Sequence, residues 1–205
     1  MKKSIIGKVS IICIVLCLSF SCERESEIVF SPAGVPVDLG LSVKWASCNV
    51  GANSPEGYGD YFAWGEVIPK NKFSYAGYLY RDNPKILPPH ADAATVNWGG
   101  AWRMPTDAEL TELREQCTWT WTSQNGVNGY KVTSKSNGNS IFLPAAGYRH
   151  DSSFDGAGWH GDYWSSSHNA GRPNCAWGVY FDSGSVDRDY YGYRYYGLSV
   201  RPVCP

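Results

Sequence analysis

The sequence lacks an excess of charge of either sign. Lysine and arginine together number 18 and aspartate and glutamate 19, so the formal net charge at pH 7 is −1. A nucleic-acid-binding domain carries its basic residues in a stripe or patch, whereas the charged residues of this chain are scattered. We therefore predict no nucleic-acid partner.

The usual spacings of metal ligands are also missing. Five residues with ligating side chains fall close together in the sequence: His150, Asp151, His160, Asp162 and His168. No pair among these five shows the helical or C-x-x-C-like spacing of a zinc site. Because all of them lie in predicted loops, surface histidines explain them better than a zinc site. We predict no metal and no other cofactor.

Only one long apolar run is present, at the N-terminus. It extends from Ile5 to Phe20 behind two lysines and is too short and too poorly flanked for a transmembrane helix. This pattern predicts a signal peptide over residues 1–21. The sequence LSFSC at 18–22 resembles a bacterial lipobox, with its leucine one position early. We predict that Cys22 is lipidated, so that the membrane is contacted through a lipid anchor only; the alternative is a simple cleaved secretory signal.

Residues 22–33 read as a short tether before the folded domain, which we predict over residues 34–205. Glutamates at 23, 25 and 27 follow Cys22. Such an acidic run resembles the export signal of surface-displayed lipoproteins in some Gram-negative bacteria, although a solvated tether explains it equally well. We predict an outer-membrane lipoprotein of the cell envelope that is exposed at the surface.

The predicted domain retains four cysteines, Cys48, Cys117, Cys175 and Cys204. In an oxidising envelope, four cysteines allow up to two disulfides in three connectivities that the sequence cannot distinguish. We favour a bridge among Cys48, Cys117 and Cys204, which leaves Cys175 unpaired.

The composition and local patterns predict an α+β fold of antiparallel strands, one or two helices and long loops. Thr106-x-x-Glu109 is a capping box that begins a helix ending near Cys117, and a shorter helix is predicted near residues 90–96. The segment 67–89 reads as a long loop, functional or mobile. Strands are predicted at 36–40, 41–47, 60–66, 118–123, 129–135, 139–147, 163–166, 176–181, 185–187 and 198–203.

The C-terminal segment from Gly161 to Cys204 carries two polar loops, 167–174 and 187–196, made of Tyr, Ser, Asn, Asp, Gly and Arg. This is the composition of a recognition surface, because tyrosine offers a large contact area at little entropic cost. An active site needs a few titratable groups in fixed geometry, so we predict binding rather than catalysis. The candidate contact residues are His168, Asn169, Arg172, Asn174, Asp187, Arg188, Asp189, Tyr190, Tyr191 and Tyr193. The alternative is that several tyrosines pack inside the loops.

Four segments, in order, resemble the Fibrobacter succinogenes major paralogous domain, a family of bacterial envelope proteins. They are VKWASCNVG from residue 43, GGAWRMPTDAELTEL from residue 99, IFLPAAGYR from residue 141, and YWSSS from residue 163 with the ending GLSVRPV. Each segment alone is a weak signal, but the ordered set covers about residues 35–203. The family often has a cysteine directly after Ser-Val-Arg, where this chain has Pro202, which leaves any family disulfide in doubt.

The resemblance implies a C-type-lectin-like fold in which the first and last strands pair. It also links the chain, more distantly, to formylglycine-generating enzymes and to the variable proteins of diversity-generating retroelements. The Glu-Pro-Asn, Gln-Pro-Asp and Trp-Asn-Asp strings of calcium-dependent lectins are absent, which argues against such a Ca²⁺ site. The enzymes' cysteine pair has no clear match among Cys117, Cys175 and Cys204.

We therefore predict an envelope lipoprotein whose C-type-lectin-like domain binds a protein or glycan on a cell surface. Asn, Tyr, Ser, Asp and His are reachable by substituting adenines in AAY codons, which raises the hypothesis that the loops are diversified by a retroelement. The alternatives are a structural or adhesin-tip subunit, for which the sequence shows no evident exposed edge or donor strand outside the short tether, and a formylglycine-generating-enzyme-like catalyst. Arg201 and the tryptophans at 102, 164 and 177 are assigned to the framework.

Overall fold

The computed structural model describes residues 34–187 and 190–205. The predicted signal peptide (1–21), Cys22 and the tether (22–33) lie outside the described residues, as do Arg188 and Asp189. No helix in the described part of the chain is long and apolar enough to cross a membrane.

Both predicted helices are present. The longer helix, α2, spans Asp107–Gln116 and begins with the predicted capping box. The backbone N–H of Glu109 donates to Thr106 Oγ1 at 3.2 Å, and the N–H of Thr106 donates to Glu109 Oε2 at 2.8 Å. Leu110 and Leu113 are buried, so this face of α2 packs against the core. The shorter helix, α1, spans Ala93–Trp98 and follows a single 3₁₀ turn at Pro89–Ala91.

The strands form three antiparallel three-stranded sheets and one hairpin, which bears out the α+β prediction. The sheets have the orders β1-β2-β11, β3-β4-β5 and β10-β9-β8, and β6 pairs with β7. The strands are β1 Pro36–Val37, β2 Lys44–Ala46, β3 Cys117–Gln124, β4 Val127–Ser134, β5 Ser140–Pro144, β6 Tyr148–His150, β7 Ser153–Asp155, β8 His160–His168, β9 Cys175–Asp182, β10 Tyr191–Tyr193 and β11 Val203–Cys204.

The two ends of the domain meet in the first sheet. Strand β2 lies between β1 and β11, with Val37 and Val203 both opposite Trp45. The family resemblance led us to expect the first and last strands to pair directly. In the structure it is the second strand that pairs with the last, and the first strand lies on its other side.

Two predicted strands, 60–66 and 185–187, contribute only single bridges, the second between Phe181 and Val186. The segment 60–66 meets the C-terminal segment 198–203 through the bridge between Phe62 and Leu198. Glycines with positive φ flank this short stretch, with φ of 72° at Gly59 and 81° at Gly65. The left-handed conformation at both positions interrupts an extended ladder.

The prediction of disulfides is wrong for the described chain. All four cysteines of the domain are buried and unpaired. They occupy separate surroundings: Cys117 packs in the largest hydrophobic cluster, and Cys48 donates to the carbonyl of Ala52. Burial raises the pKa of the Cys117 thiol to about 11, so this group behaves as a small core side chain.

Arg201 lies at the centre of the fold, as its assignment to the framework predicted. It is 1% exposed and donates to Asn49 Oδ1 at 2.8 Å and to the carbonyls of Ala46 and Phe142 at 3.0 and 2.9 Å. Asn49 in turn donates to the Tyr58 carbonyl at 2.9 Å. These bonds join β2, β5 and the C-terminal segment.

The predicted framework tryptophans differ in burial. Trp164 is fully buried and donates to the Phe62 carbonyl at 2.8 Å. Trp102 and Trp177 are half-buried. Trp164 belongs to a second hydrophobic cluster, with Trp64, Leu198 and Val200, beneath the loops described next.

Candidate recognition surface

Two neighbouring clefts open at the end of the β8–β9–β10 sheet where β9 begins. The first cleft has a volume of about 170 Å³ and the second about 330 Å³. Pro173 and Asn174 line both clefts and therefore form the ridge between them. The other residues of the first cleft are Tyr75, Tyr78, Tyr80, Arg81, Asn83, Arg194 and Tyr195, and those of the second are Arg172, Cys175, Tyr191 and Tyr193.

The ridge is held by a hydrogen-bonded turn between β8 and β9. The N–H of Arg172 donates to the Asn169 carbonyl at 3.0 Å, and the N–H of Cys175 donates to the Arg172 carbonyl at 2.8 Å. The buried side chain of Asn169 accepts from the N–H of Gly171 at 3.1 Å. The hydrogen bonds within the turn thus fix the backbone from which its side chains project.

Arg194 fixes the floor of the first cleft. Its side chain is buried, and its guanidinium carbon lies 4.6 Å from the centre of the Trp64 ring. All its donors have acceptors, and every acceptor is neutral. The acceptors are the hydroxyl of Tyr78 (2.8 Å), Oδ1 of Asn83 (2.6 Å) and the carbonyls of Pro173 (3.3 Å), Tyr80 (3.3 Å) and Asp82 (2.6 Å). One side chain therefore joins the loop 78–83 to the ridge.

A cluster of tyrosines lies along both clefts, with Tyr75 and Tyr195 lining the first and Tyr193 the second. Tyr193 stacks on Tyr195, with ring centres 5.4 Å apart, and Tyr75 meets Tyr195 edge-on at 5.9 Å. Tyr75 is 62% and Tyr193 48% exposed. Tyr196 packs behind them against His150 at 4.7 Å. Each exposed ring is held by a second ring, which fixes its orientation before any ligand arrives.

The second cleft presents Tyr191 with an arginine across its face. The guanidinium carbon of Arg172 lies 4.6 Å from the Tyr191 ring centre, and Trp177 meets the same ring edge-on at 6.0 Å. Burial raises the pKa of the Cys175 thiol in this cleft, which keeps it protonated and a poor nucleophile at neutral pH.

The structure brings four of the predicted contact residues together: Arg172, Asn174, Tyr191 and Tyr193 all line the second cleft. His168 and Asn169 support the ridge from behind, since His168 Nε2 lies 3.0 Å from the Pro173 carbonyl oxygen and its ring lies on Trp64.

Asp187 and Tyr190 lie elsewhere. Asp187 is exposed and bonds through its N–H to the Tyr180 carbonyl, roughly 17 Å along β9 from the clefts at the usual rise per residue. Tyr190 packs against the second hydrophobic cluster and the Tyr180 ring. For these two residues, position in the sheet rather than composition decides what the side chain can reach.

A histidine–carboxylate pair lies beneath Tyr190. His160 Nδ1 is 2.7 Å from Oδ2 of the buried Asp162, and the imidazole lies between the rings of Tyr148 and Tyr180. Hydrogen bonding to Asp162 raises the pKa of His160 above its ordinary value. Within residues 34–187 and 190–205, no three His, Cys, Asp or Glu side chains converge as a metal site would require.

This pair predicts a pH-dependent contribution to stability. Because the folded-state pKa of His160 is raised, its contribution is present below the unfolded pKa and is lost as the pH rises through the folded pKa. We expect the difference in free energy of unfolding between the wild type and His160→Gln to be larger at pH 5.5 than at pH 8. Urea unfolding at the two pH values measures it; a difference that stays constant or grows with pH would contradict the assignment.

Sequence reasoning missed the residues that the loop 67–89 contributes. Tyr75, Tyr80, Arg81 and Asn83 line the first cleft together with Tyr195. The available signal was the loop itself, which is long and rich in Tyr, Pro and Asn, the same residue types as the C-terminal loops. Because the two distant segments share this composition, a surface formed by both of them could have been predicted.

Comparison with known proteins gives one family. A family model described as the Lcl C-terminal domain matches residues 37–204. No curated protein and no solved structure matches the chain. The matched range includes every residue of both clefts.

Proposed function

The chain belongs to the Lcl C-terminal domain family, and we propose that it is a binding domain whose paired clefts hold a glycan chain at the cell surface. The family is one of surface-associated domains of the cell envelope. The observation that carries the proposal is the pair of adjoining clefts, in which oriented tyrosine faces flank the exposed Asn174.

The size of the clefts favours a chain of small units over a folded partner. Small-ligand sites have volumes of roughly 300–1,000 Å³, and the second cleft, at about 330 Å³, lies in this range with the first, at about 170 Å³, beside it. Two neighbouring units of one chain fit two clefts that share a ridge. Ring faces provide apolar contact while the amide of Asn174 and the guanidinium of Arg172 provide polar contacts, the combination found in small-ligand sites.

We also propose that the domain binds its ligand without catalysing a reaction. The thiol in the second cleft has a raised pKa, and the other groups lining that cleft are Tyr, Asn, Pro and Arg side chains. A catalytic cysteine needs a lowered pKa or a neighbouring base. These features support recognition more than a formylglycine-generating-enzyme-like reaction.

The lipid anchor on Cys22 and display at the outer membrane complete the proposal. They are supported by the LSFSC sequence and by a family of envelope proteins. Diversification of the loops by a retroelement fits the same surface, because Asn174, Tyr191 and Tyr193 are exposed or half-buried residues of the AAY-accessible type, whereas β8 and β9 beneath them are core.

We expect Tyr193→Ala to weaken glycan binding by about tenfold or more, because exposed aromatic anchors supply much of the energy at such sites. A glycan array with the purified protein identifies a binding glycan, and calorimetry with that glycan measures the change. Trp159→Ala is the matched control: Trp159 is 78% exposed but lies at the opposite end of β8 from the clefts.

Three outcomes decide between the classes of ligand. Loss of binding in Tyr193→Ala and not in Trp159→Ala supports the proposal. Equal loss of glycan binding in both variants, or unchanged binding in both, contradicts the assignment of the clefts. If the protein binds no glycan on the array but captures a deglycosylated surface protein, the ligand is a protein rather than a glycan.

A further inference from the structure

Strand β3 is a long, open sheet edge. It pairs with β4 on one side through eight consecutive residue pairs from Cys117–Ser134 to Gln124–Val127. In the described part of the chain, no backbone hydrogen bond reaches the other side of residues 118–123. Antiparallel geometry directs alternate N–H and C=O groups outward from such an edge.

This edge carries none of the features that protect natural sheet edges, which are charged residues, prolines and bulges. Residues 118–124 read TWTWTSQ, without charge or proline, and the register with β4 has no shift. Other edges are short or partly covered: β1 has two residues and contains Pro36, β10 has three residues, and β5 ends in Pro144 and has its Phe142 carbonyl bonded to Arg201. The remaining edges of the three sheets carry isolated bridges, from β8 to Ile86, Gly147 and Ser199 and from β11 to Arg103.

The edge is also complementary to itself. Residues 118–122, Thr-Trp-Thr-Trp-Thr, read the same in both directions. Antiparallel pairing of two copies about Thr120 therefore places threonine opposite threonine and Trp119 opposite Trp121 of the second copy. Cross-strand aromatic and Thr–Thr pairs are among the favourable pairs of antiparallel sheets. A two-fold axis that makes a strand its own partner is the geometry of an isologous dimer.

The two tryptophans of this edge are only partly buried. Trp119 and Trp121 each pack against Tyr130 on the core side, with ring centres 5.5 and 5.3 Å away, yet both remain half-exposed. A second copy would cover them with the equivalent pair.

We propose that β3 is a dimerisation edge: two copies of this chain pair antiparallel through residues 118–122 and join their three-stranded sheets into one six-stranded sheet. The occupant is a second copy because the sequence of the edge is palindromic and uncharged.

The test introduces charged side chains at Thr118 and Thr122, the two ends of the palindrome. In the proposed register the exposed Thr118 faces Thr122 of the second copy. Thr118→Lys with Thr122→Lys places like charges opposite each other at both ends, and we expect the dimer to weaken roughly tenfold or more. Thr118→Lys with Thr122→Glu changes the same positions but places opposite charges together, and we expect it to dimerise at least as tightly as the wild type. Sedimentation velocity of the purified full chain in density-matched detergent measures all three proteins.

Each outcome bears on the proposal. A wild type that stays monomeric at roughly 100 μM, which covers association down to the sub-millimolar range, overturns it. A dimer that neither variant affects, or that both abolish, also overturns it. Thermal melts followed by circular dichroism establish that the variants are folded.

Disulfide cross-linking tests the same dimer without introducing charged residues. Thr120→Cys places two thiols at the two-fold axis, where facing Cβ atoms lie about 4.5–5.5 Å apart, and we expect a disulfide-linked dimer on mild oxidation. Lys131→Cys, the residue opposite Thr120 on β4 and equally exposed, is the control and should stay uncross-linked. Equal cross-linking of both variants contradicts the two-fold edge.

Discussion

Replacing Arg201 by methionine is expected to lower the free energy of unfolding by roughly 3–5 kcal/mol, because the substitution leaves buried acceptors without a donor. The carbonyls of Ala46 and Phe142 and the amide oxygen of Asn49 all accept from this guanidinium. Methionine fills much of the volume but donates nothing. Urea unfolding followed by circular dichroism measures the change.

Arg172→Met is the matched control for this prediction. Arg172 is exposed and lies over the Tyr191 ring at the second cleft. Removing an exposed charge of this kind changes stability by at most about 0.5 kcal/mol. Equal losses in the free energy of unfolding for Arg201→Met and Arg172→Met would contradict the prediction that the hydrogen bonds of Arg201 stabilise the core.

Replacing Arg194 by methionine is expected to cost roughly 3 kcal/mol of stability and to abolish binding at the first cleft, because its acceptors come from two separate chain segments, the loop 78–83 and the ridge. Without the guanidinium, the hydroxyl of Tyr78 and the side chain of Asn83 lose their shared donor. We expect Arg194→Lys to lose nearly as much, since an ammonium cannot reproduce the planar set of five donors.

Unfolding measurements combined with calorimetry on the glycan found by the array separate the two effects. A variant that binds normally while losing stability would show that Arg194 supports the fold but does not shape the cleft. A variant that is as stable as the wild type would contradict the bonding described for this residue.

Local chemistry was predictable from the sequence. Thr106 and Glu109 are three residues apart, so the capping box and the start of α2 depend on neighbours alone. The strands predicted at 118–123 and 129–135 likewise correspond to β3 and β4. The α+β class followed from these elements.

Contacts between distant segments were not predictable in the same way. Arg194 and Asn83 are 111 residues apart in the sequence and 2.6 Å apart in space, and no local pattern indicates such a pair. The same holds for the buried cysteines, whose pairing depends on where each thiol packs.

Tyrosines in one short segment illustrate why composition alone overestimates a site. Tyr190, Tyr191 and Tyr193 are near neighbours with the same side chain, but Tyr190 packs inward whereas Tyr193 is 48% exposed. Gly192, between them, lies against the Trp164 ring, which an added Cβ would approach to 3.0 Å. Strand geometry and a buried tryptophan thus decide which tyrosines reach the surface.

The neutral partners of Arg194 have a consequence for the conditions under which the first cleft keeps its shape. A guanidinium stays protonated, the pKa of Tyr78 is raised by burial, and amide and carbonyl acceptors do not titrate. None of these groups changes charge between roughly pH 4 and pH 9, and a cation bonded to neutral acceptors has no paired counter-charge for dissolved ions to screen. A domain displayed at the cell surface, as proposed above, meets changing acidity and salinity, and this cleft is built from bonds that neither one alters.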